Sequence, residues 1–184
     1  GQSHVYFRAD GPGTRLDLAN VTTLVGSRGE AFGLVQTHIE AFNGGTVDLS
    51  SATTATKQAT FVANGAGSVI DVSSLQSFDS QFTNPFRAEA SRIEVSDSGQ
   101  VLLTTLSSVT GIGLRTLAGG VLSLPALTAF SGGKLATVIR ADGSGSTISL
   151  PVLTSFAGST GEAFGLLTTK IESINGGRVD LSLV

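Results

Sequence analysis

Apolar residues recur along this chain in one spaced motif, h-x-h-x-x-h-x-x-h, where h is an apolar side chain. The sets are Leu16, Leu18, Val21, Leu24; Val47, Leu49, Ala52, Ala55; and Ile70, Val72, Leu75, Phe78. They continue as Val101, Leu103, Leu106, Val109; Leu122, Leu124, Leu127, Phe130; and Ile148, Leu150, Leu153, Phe156. A seventh set, Val179, Leu181, Val184, stops at the last residue. The first two apolar positions lie two apart, the period of a strand with one buried face. The next two follow at steps of three, so the chain must bend and re-enter the interior. The pattern is too short and too broken for an amphipathic helix.

Each set is preceded by a glycine-rich stretch that favours left-handed backbone and marks a corner. These are DGPG at 10–13, NGG at 43–45, NGAG at 64–67, DSG at 97–99, AGG at 118–120, DGSG at 142–145 and NGG at 175–177. A second strand is expected before several corners, over Thr37–Phe42, Ser91–Val95 and Thr169–Ile174, with Ile39, Ile93 and Ile171 pointing inward. A third is expected to carry Phe7 and Ala9, Phe61 and Ala63, and Ile139 and Ala141. One such unit cannot bury its own apolar face, but stacked units share a continuous core. The expected fold is therefore all-β: a right-handed parallel β-helix, or β-solenoid, of about six to seven coils. A single solenoid is expected over residues 1–184, with coils beginning near 16, 47, 70, 101, 122, 148 and 179.

Longer repeats agree with this reading. Residues Arg8 to Ser50 align without a gap to Arg140 to Ser182, with 25 of 43 positions identical. A weaker copy runs from Val62 to Thr104. The coils of 31 residues exceed the one of 23 by an insertion holding GEAFGL at 29–34 and 161–166, and NPFRAE at 84–89. That insertion is expected to be a corner loop or a single helical turn, with Phe32, Phe86 and Phe164 covering the flank.

Composition narrows the function classes. Only 14% of residues are charged, against about 25% in ordinary globular chains. The formal net charge of −3 gives no basic footprint for nucleic acid. No apolar run reaches the length of a membrane-spanning helix. Cys is absent, which removes disulfides, thiolate nucleophiles and Cys-based zinc sites. Met is absent too, so the chain reads as a segment of a longer protein whose ends are open sheet edges prone to pairing.

LSLPALTAFSGGKL (122–135) and ISLPVLTSFAGS (148–159) resemble the receptor L-domain type of β-helix, with its L-x-L-P-x-L-x-x-h-x-G-G pattern. The looser likeness to leucine-rich repeats fails where that family needs Asn or Cys, because Val21, Ala52, Leu75, Leu106, Leu127 and Leu153 stand there. The Gly, Ser and Thr style resembles repeat regions of large bacterial surface proteins, including adhesins with a parallel β-helix. Those resemblances imply an extracellular or cell-surface location, a structural or adhesive role, and glycan or protein partners of a cell surface or matrix.

Candidate chemistry is sparse. Asp17, Asp48, Asp71 and Asp180 fall between the first two core positions and form an outward column, broken by Leu102, Ser123 and Ser149. Stacked carboxylates can hold Ca²⁺ or supply the paired acids of a glycosidase or polysaccharide lyase. The plainer expectation is a solvated face or turn hydrogen bonds. Basic–Ile–acidic triplets occur at His38-Ile39-Glu40, Arg92-Ile93-Glu94 and Lys170-Ile171-Glu172, with similar pairs at Arg8-Ala9-Asp10 and Arg140-Ala141-Asp142. These read as cross-coil ion pairs before they read as carbohydrate contacts. Thr22, Thr53, Gln76, Ser107, Thr128 and Thr154 form a further column, expected as a hydroxyl ladder, with ice binding as the outside alternative. His4 and His38 stand in no visible catalytic setting, and Lys57, Lys134 and Lys170 fall in different coils. No catalytic, cofactor or metal residue is assigned. The expected function is a rigid stalk or multivalent binding surface, and the alternative is a polysaccharide lyase or hydrolase acting at the Asp column.

Overall fold

The computed structural model describes residues 4–27, 36–80, 91–134, 136–160 and 168–181. Every regular element among them is a β-strand. The chain begins β1 (Val5–Asp10), β2 (Arg15–Asp17), β3 (Thr23–Val25), β4 (Thr37–Phe42), β5 (Thr46–Asp48) and β6 (Thr54–Thr56). Then come β7 (Ala59–Asn64), β8 (Val69–Asp71), β9 (Ser77–Asp79), β10 (Ser91–Ser96), β11 (Gln100–Leu102) and β12 (Ser108–Thr110). After these are β13 (Ile112–Leu117), β14 (Val121–Ser123), β15 (Ala129–Ser131) and β16 (Thr137–Asp142). The last are β17 (Thr147–Ser149), β18 (Ser155–Ala157), β19 (Thr169–Ile174) and β20 (Arg178–Asp180). A six-residue strand followed by two three-residue strands is the repeating unit.

All strand pairs are parallel and join each strand to its counterpart one coil away, as a β-solenoid requires. The six-residue strands form one seven-stranded sheet, β1-β4-β7-β10-β13-β16-β19. The last strands of each unit form a six-stranded sheet, β18-β15-β12-β9-β6-β3. The middle strands do not form one sheet. They divide into β11-β8-β5-β2 and β14-β17-β20.

The spaced motif maps onto this frame. Its first apolar position is the inward residue of the middle strand, and its last is the inward residue of the strand after it. Val47, Ile70, Leu122 and Ile148 are thus buried in the middle strands, and Ala55, Phe78, Val109 and Phe130 in the third. The second and third motif positions fill the bend between them, where Leu103, Leu106, Leu124 and Leu127 are also buried. The two further strands expected from the sequence are in fact one column. Phe7 pairs with Ile39, Ile39 with Phe61, and Phe61 with Ile93 along the same sheet. Unequal coil lengths hid that identity, because these segments sit at different distances from their nearest motif. The insertion segments with Phe32, Phe86 and Phe164 lie outside the described residues.

Opposite walls meet across the interior, as where the rings of Phe61 and Phe78 approach to 5.3 Å. Along the axis, like packs on like, with Phe130 stacked on Phe156 at 5.1 Å. Small residues take part where neighbours are large: Ala55 lies between Leu24 and Phe78 in register. Dense packing of this kind leaves little freedom for one coil to shift against the next.

Candidate functional site

Two kinds of corner join each six-residue strand to the strand after it. Four residues make the corner in 11–14, 65–68 and 143–146, and three make it in 43–45, 97–99, 118–120 and 175–177. The four-residue corner ends in a hydroxyl that folds back on its own chain. Thr14 donates to the Asp10 carbonyl at 3.0 Å, Ser68 to Asn64 at 2.6 Å and Ser146 to Asp142 at 2.7 Å. The three-residue corner uses left-handed backbone at its first residue, as at Asn43 (φ 52°), and then glycine, as at Gly44 (φ 88°). Its last glycine packs on the carbonyl of a neighbouring coil. A Cβ on Gly45 would lie 2.4 Å from the Ala9 oxygen, and one on Gly120 would lie 2.2 Å from the Val95 oxygen.

The two corners fit one another when they alternate. Asn43 donates to the Asp10 carboxylate at 2.9 Å, and Asn175 donates to Asp142 at 2.8 Å. Asn64 donates to the Ser96 hydroxyl at 2.6 Å. On the other side, the Gly44 amide donates to Ser68 Oγ at 3.0 Å and the Gly119 amide to Ser146 Oγ at 3.1 Å. Alternation fails once along the stack, where the three-residue corner 97–99 is followed by the three-residue corner 118–120. That is where the middle sheet divides. β11 and β14 do not pair, although the sheets on either side run through unbroken.

Among the described residues, the division leaves main-chain groups at the seam without main-chain partners. Elsewhere the first amide of each middle strand bonds across to the neighbouring coil: Val69 to the Gly45 carbonyl at 2.9 Å, Gln100 to Ser68 at 2.8 Å, and Thr147 to Gly120 at 2.9 Å. The amide just past the strand does the same, as Val72 to Leu102 at 3.3 Å and Leu124 to Ser149 at 3.0 Å. At the seam the corresponding bonds, from Val121 to Gly99 and from Leu103 to Ser123, are missing among the described residues. In a parallel ladder alternate residues address opposite neighbours. Val101 therefore presents its amide and carbonyl to the seam from one side, and Val121 and Ser123 present theirs from the other.

A groove of about 500 Å³ opens there, lined by residues 98–104 and by Gly119, Val121, Ser123 and Pro125. No lining residue carries a charge. Val121 is 59% exposed at its rim. Asp97 and Ser98 at the corner both hold left-handed backbone, at φ 49° and 65°. Ser98 stands where the other three-residue corners place glycine (Gly44, Gly119 and Gly176), a strained choice for an L-residue.

The Asp column singled out in the sequence has structural partners. Asp17, Asp48 and Asp71 stack in register, and Leu102 follows Asp71. Each carboxylate accepts the amide two residues on: Ala19 at 3.1 Å, Ser50 at 3.0 Å and Ser73 at 3.0 Å. They are turn-forming carboxylates, as the plainer expectation had it. Asp48 is buried and also bonded to Arg15. The Ser50 amide, the Ser50 hydroxyl and Arg15 hold its carboxyl below the usual range, against the opposing effect of burial. Asp180 pairs with Arg178. Among the described residues no three carboxylate or imidazole groups converge as a metal site.

Arg8, Glu40, Arg92, Glu94, Arg140, Asp142 and Glu172 form ion pairs on the outer face of the seven-stranded sheet. Arg8 reaches Glu40 at 2.6 Å in the next coil, and Arg140 reaches Glu172 at 3.8 Å. Arg92 pairs with Glu94 at 2.9 Å along its own strand, and Arg140 with Asp142 at 2.6 Å. His4 and His38, which the sequence placed in no common setting, are neighbours. His38 stacks on Tyr6 with ring centres 4.6 Å apart, and its ring lies 5.4 Å from that of His4. His38 Nδ1 is 3.6 Å from Glu40. Burial pushes the imidazole pKa down, partly offset by Glu40. In the hydroxyl column, Thr53 donates to the Thr22 carbonyl, Ser107 to Gln76, Thr128 to Ser107 and Thr154 to Thr128, at 3.0–3.3 Å.

Sequence reasoning missed the seam. Its signal is present in the corner lengths, four-three-four-three-three-four-three, but reading it requires knowing how stacked corners share hydroxyl groups. Comparison with protein-family models, with curated proteins and with solved structures finds no match to this chain.

Proposed function

We propose that this chain is a non-catalytic display module, a right-handed β-solenoid belonging to a secreted or cell-surface bacterial protein of the adhesin type. It holds a long lateral surface rigid, and repeated weak contacts along that surface sum to useful avidity. Glycans or proteins of a cell surface or matrix are the partners this reading names. The observation that carries it is the seven-stranded sheet, parallel and in register along its whole length. Such a sheet couples each coil only to its neighbours and resists bending as a unit.

The use of the charged groups supports the same reading. A lyase or hydrolase needs a carboxylate free to take or give a proton near the scissile bond. Asp17, Asp48 and Asp71 each accept a main-chain amide instead, and Glu40, Glu94, Asp142 and Glu172 are in ion pairs.

The test is incubation with neutral and acidic polysaccharides, with and without Ca²⁺, scoring retention and product release together. Retention without product is the expected result. Release of shortened chains overturns the display reading and directs attention to the Asp column.

A further inference from the structure

We infer that the seam between β11 and β14 is a binding site for an uncharged oligosaccharide. The inference deepens the display reading and rests on it, since it names one contact by which the surface would hold a glycan.

Spacing comes first. The Cα atoms of β11 and β14 come within 8 Å of one another. Direct pairing needs about 4.8 Å, and a third strand inserted between them would need about twice that. The strands do not pair, and Cα atoms within 8 Å of one another leave less room than an inserted peptide strand needs. A hydroxyl oxygen, of water or of a ligand, can bridge main-chain groups that do not bond directly.

Chemistry comes second. The free groups are amides and carbonyls on both walls: those of Val101, Val121 and Ser123, with the Gly99 carbonyl and the Leu103 amide. Gly99, Val101 and Leu103 are buried residues while Val121 and Ser123 are exposed, so the unpaired groups sit where water or a ligand can satisfy them, and leaving them unsatisfied would be costly. A ligand that displaces bridging water must reproduce its bonds, as both donor and acceptor. Sugar hydroxyls do both. The side chains of Ser98, Gln100, Thr104 and Ser123 add neutral polar groups, while Leu102, Val121 and Pro125 supply apolar surface for the C–H face of a pyranose. The lining lacks any charged side chain, which matches a neutral sugar and offers no counter-charge to an acidic one. No aromatic ring is in the groove, so binding is weak, with a Kd of about 1 mM or above.

Titration of the isotope-labelled chain with cellohexaose, mannohexaose and fully N-acetylated chitohexaose, followed by amide chemical shifts, tests this. Saturable shifts of Gly99, Val101, Leu103, Val121 and Ser123 with at least one of the three are expected. Ser123→Arg and Thr104→Arg, which fill the groove from opposite walls, should each weaken binding by about tenfold or more, and Thr54→Arg on the six-stranded sheet by about twofold at most. The spectra themselves report whether each variant is folded. Absence of saturable shifts with all three sugars overturns the site, as does binding that survives both groove substitutions or an equal response to an extended peptide. None of these outcomes releases product, so the site can fail while the display reading stands.

Discussion

The amide of Gly44 donates to the hydroxyl of Ser68 at 3.0 Å, and that hydroxyl donates in turn to the carbonyl of Asn64 at 2.6 Å. One buried oxygen thus closes its own four-residue corner and clamps the three-residue corner of the neighbouring coil. Ser146 does the same between Asp142 and Gly119. Ser68→Ala removes both bonds and leaves a donor and an acceptor unsatisfied, at a cost of about 1–3 kcal/mol. Ser68→Thr, the residue type at position 14, should recover most of it. Urea unfolding of the three proteins measures the difference.

Gly45 and Gly13 separate two reasons for using glycine. A Cβ at position 45 would press on the Ala9 carbonyl at 2.4 Å, with no flexible side chain able to yield. At position 13 there is open space, but the backbone is left-handed at φ 75°. Gly13→Ala should cost about 1–2 kcal/mol, the strain of an L-residue in that conformation. Gly45→Ala must move one coil against another and should cost clearly more. The order of the two melting temperatures checks it.

Leu124 is fully buried at the bend that follows β14. Leu124→Ala should destabilise the chain by about 2–5 kcal/mol, from lost transfer energy and the cavity left behind. Leu124→Asp places an unpaired carboxylate in the core and should abolish the cooperative melt. A melt of the Asp variant matching that of the parent would mean that the side chain faces outward.

Acid should weaken the fold in two stages. Burial lowers the folded-state pKa of His38, so the unfolded chain takes up a proton first. Stability therefore begins to fall as pH drops below about 6.5, the ordinary histidine value. Asp48 is depressed by the Ser50 amide and hydroxyl and by Arg15, and Asp142 by Arg140 and Asn175. Their contribution is present above the ordinary carboxylate value of about 3.9 and is lost as pH falls below it through the folded values. Denaturant midpoints from pH 8 to pH 2 should show both declines, and His38→Gln should remove only the upper one.

Much of this fold is written in local spacing. Leu16, Leu18, Val21 and Leu24 show by their intervals alone where one strand ends and the next begins, because a strand buries every second residue and a bend does not. Asp48 could be read as a turn former for the same local reason, its partner being only two residues away. The equivalence of Phe7, Ile39 and Phe61 was harder to see, since it depends on coil lengths that vary. The proximity of His4 and His38 is set by register between coils, at a separation that no local pattern records. The seam lies furthest from sequence reasoning. It lies where corner 97–99 is followed by a second corner of its own kind, which brings none of the serine hydroxyls that Ser68 and Ser146 supply to Gly44 and Gly119.

Amide hydrogen exchange, resolved by residue, tests the central claim most directly: a stack of parallel, in-register coils with one unpaired seam. Val69, Val72, Gln100, Leu124 and Thr147 bond between coils and should exchange slowly. Val121 and Leu103, at the equivalent positions across the seam, should exchange faster by orders of magnitude while their neighbours in the flanking sheets stay protected. Protection of Val121 and Leu103 equal to that of Thr147 and Val72 would mean that the ladder is continuous, and the seam with its groove would not exist. Fast exchange at all seven positions would contradict the solenoid itself.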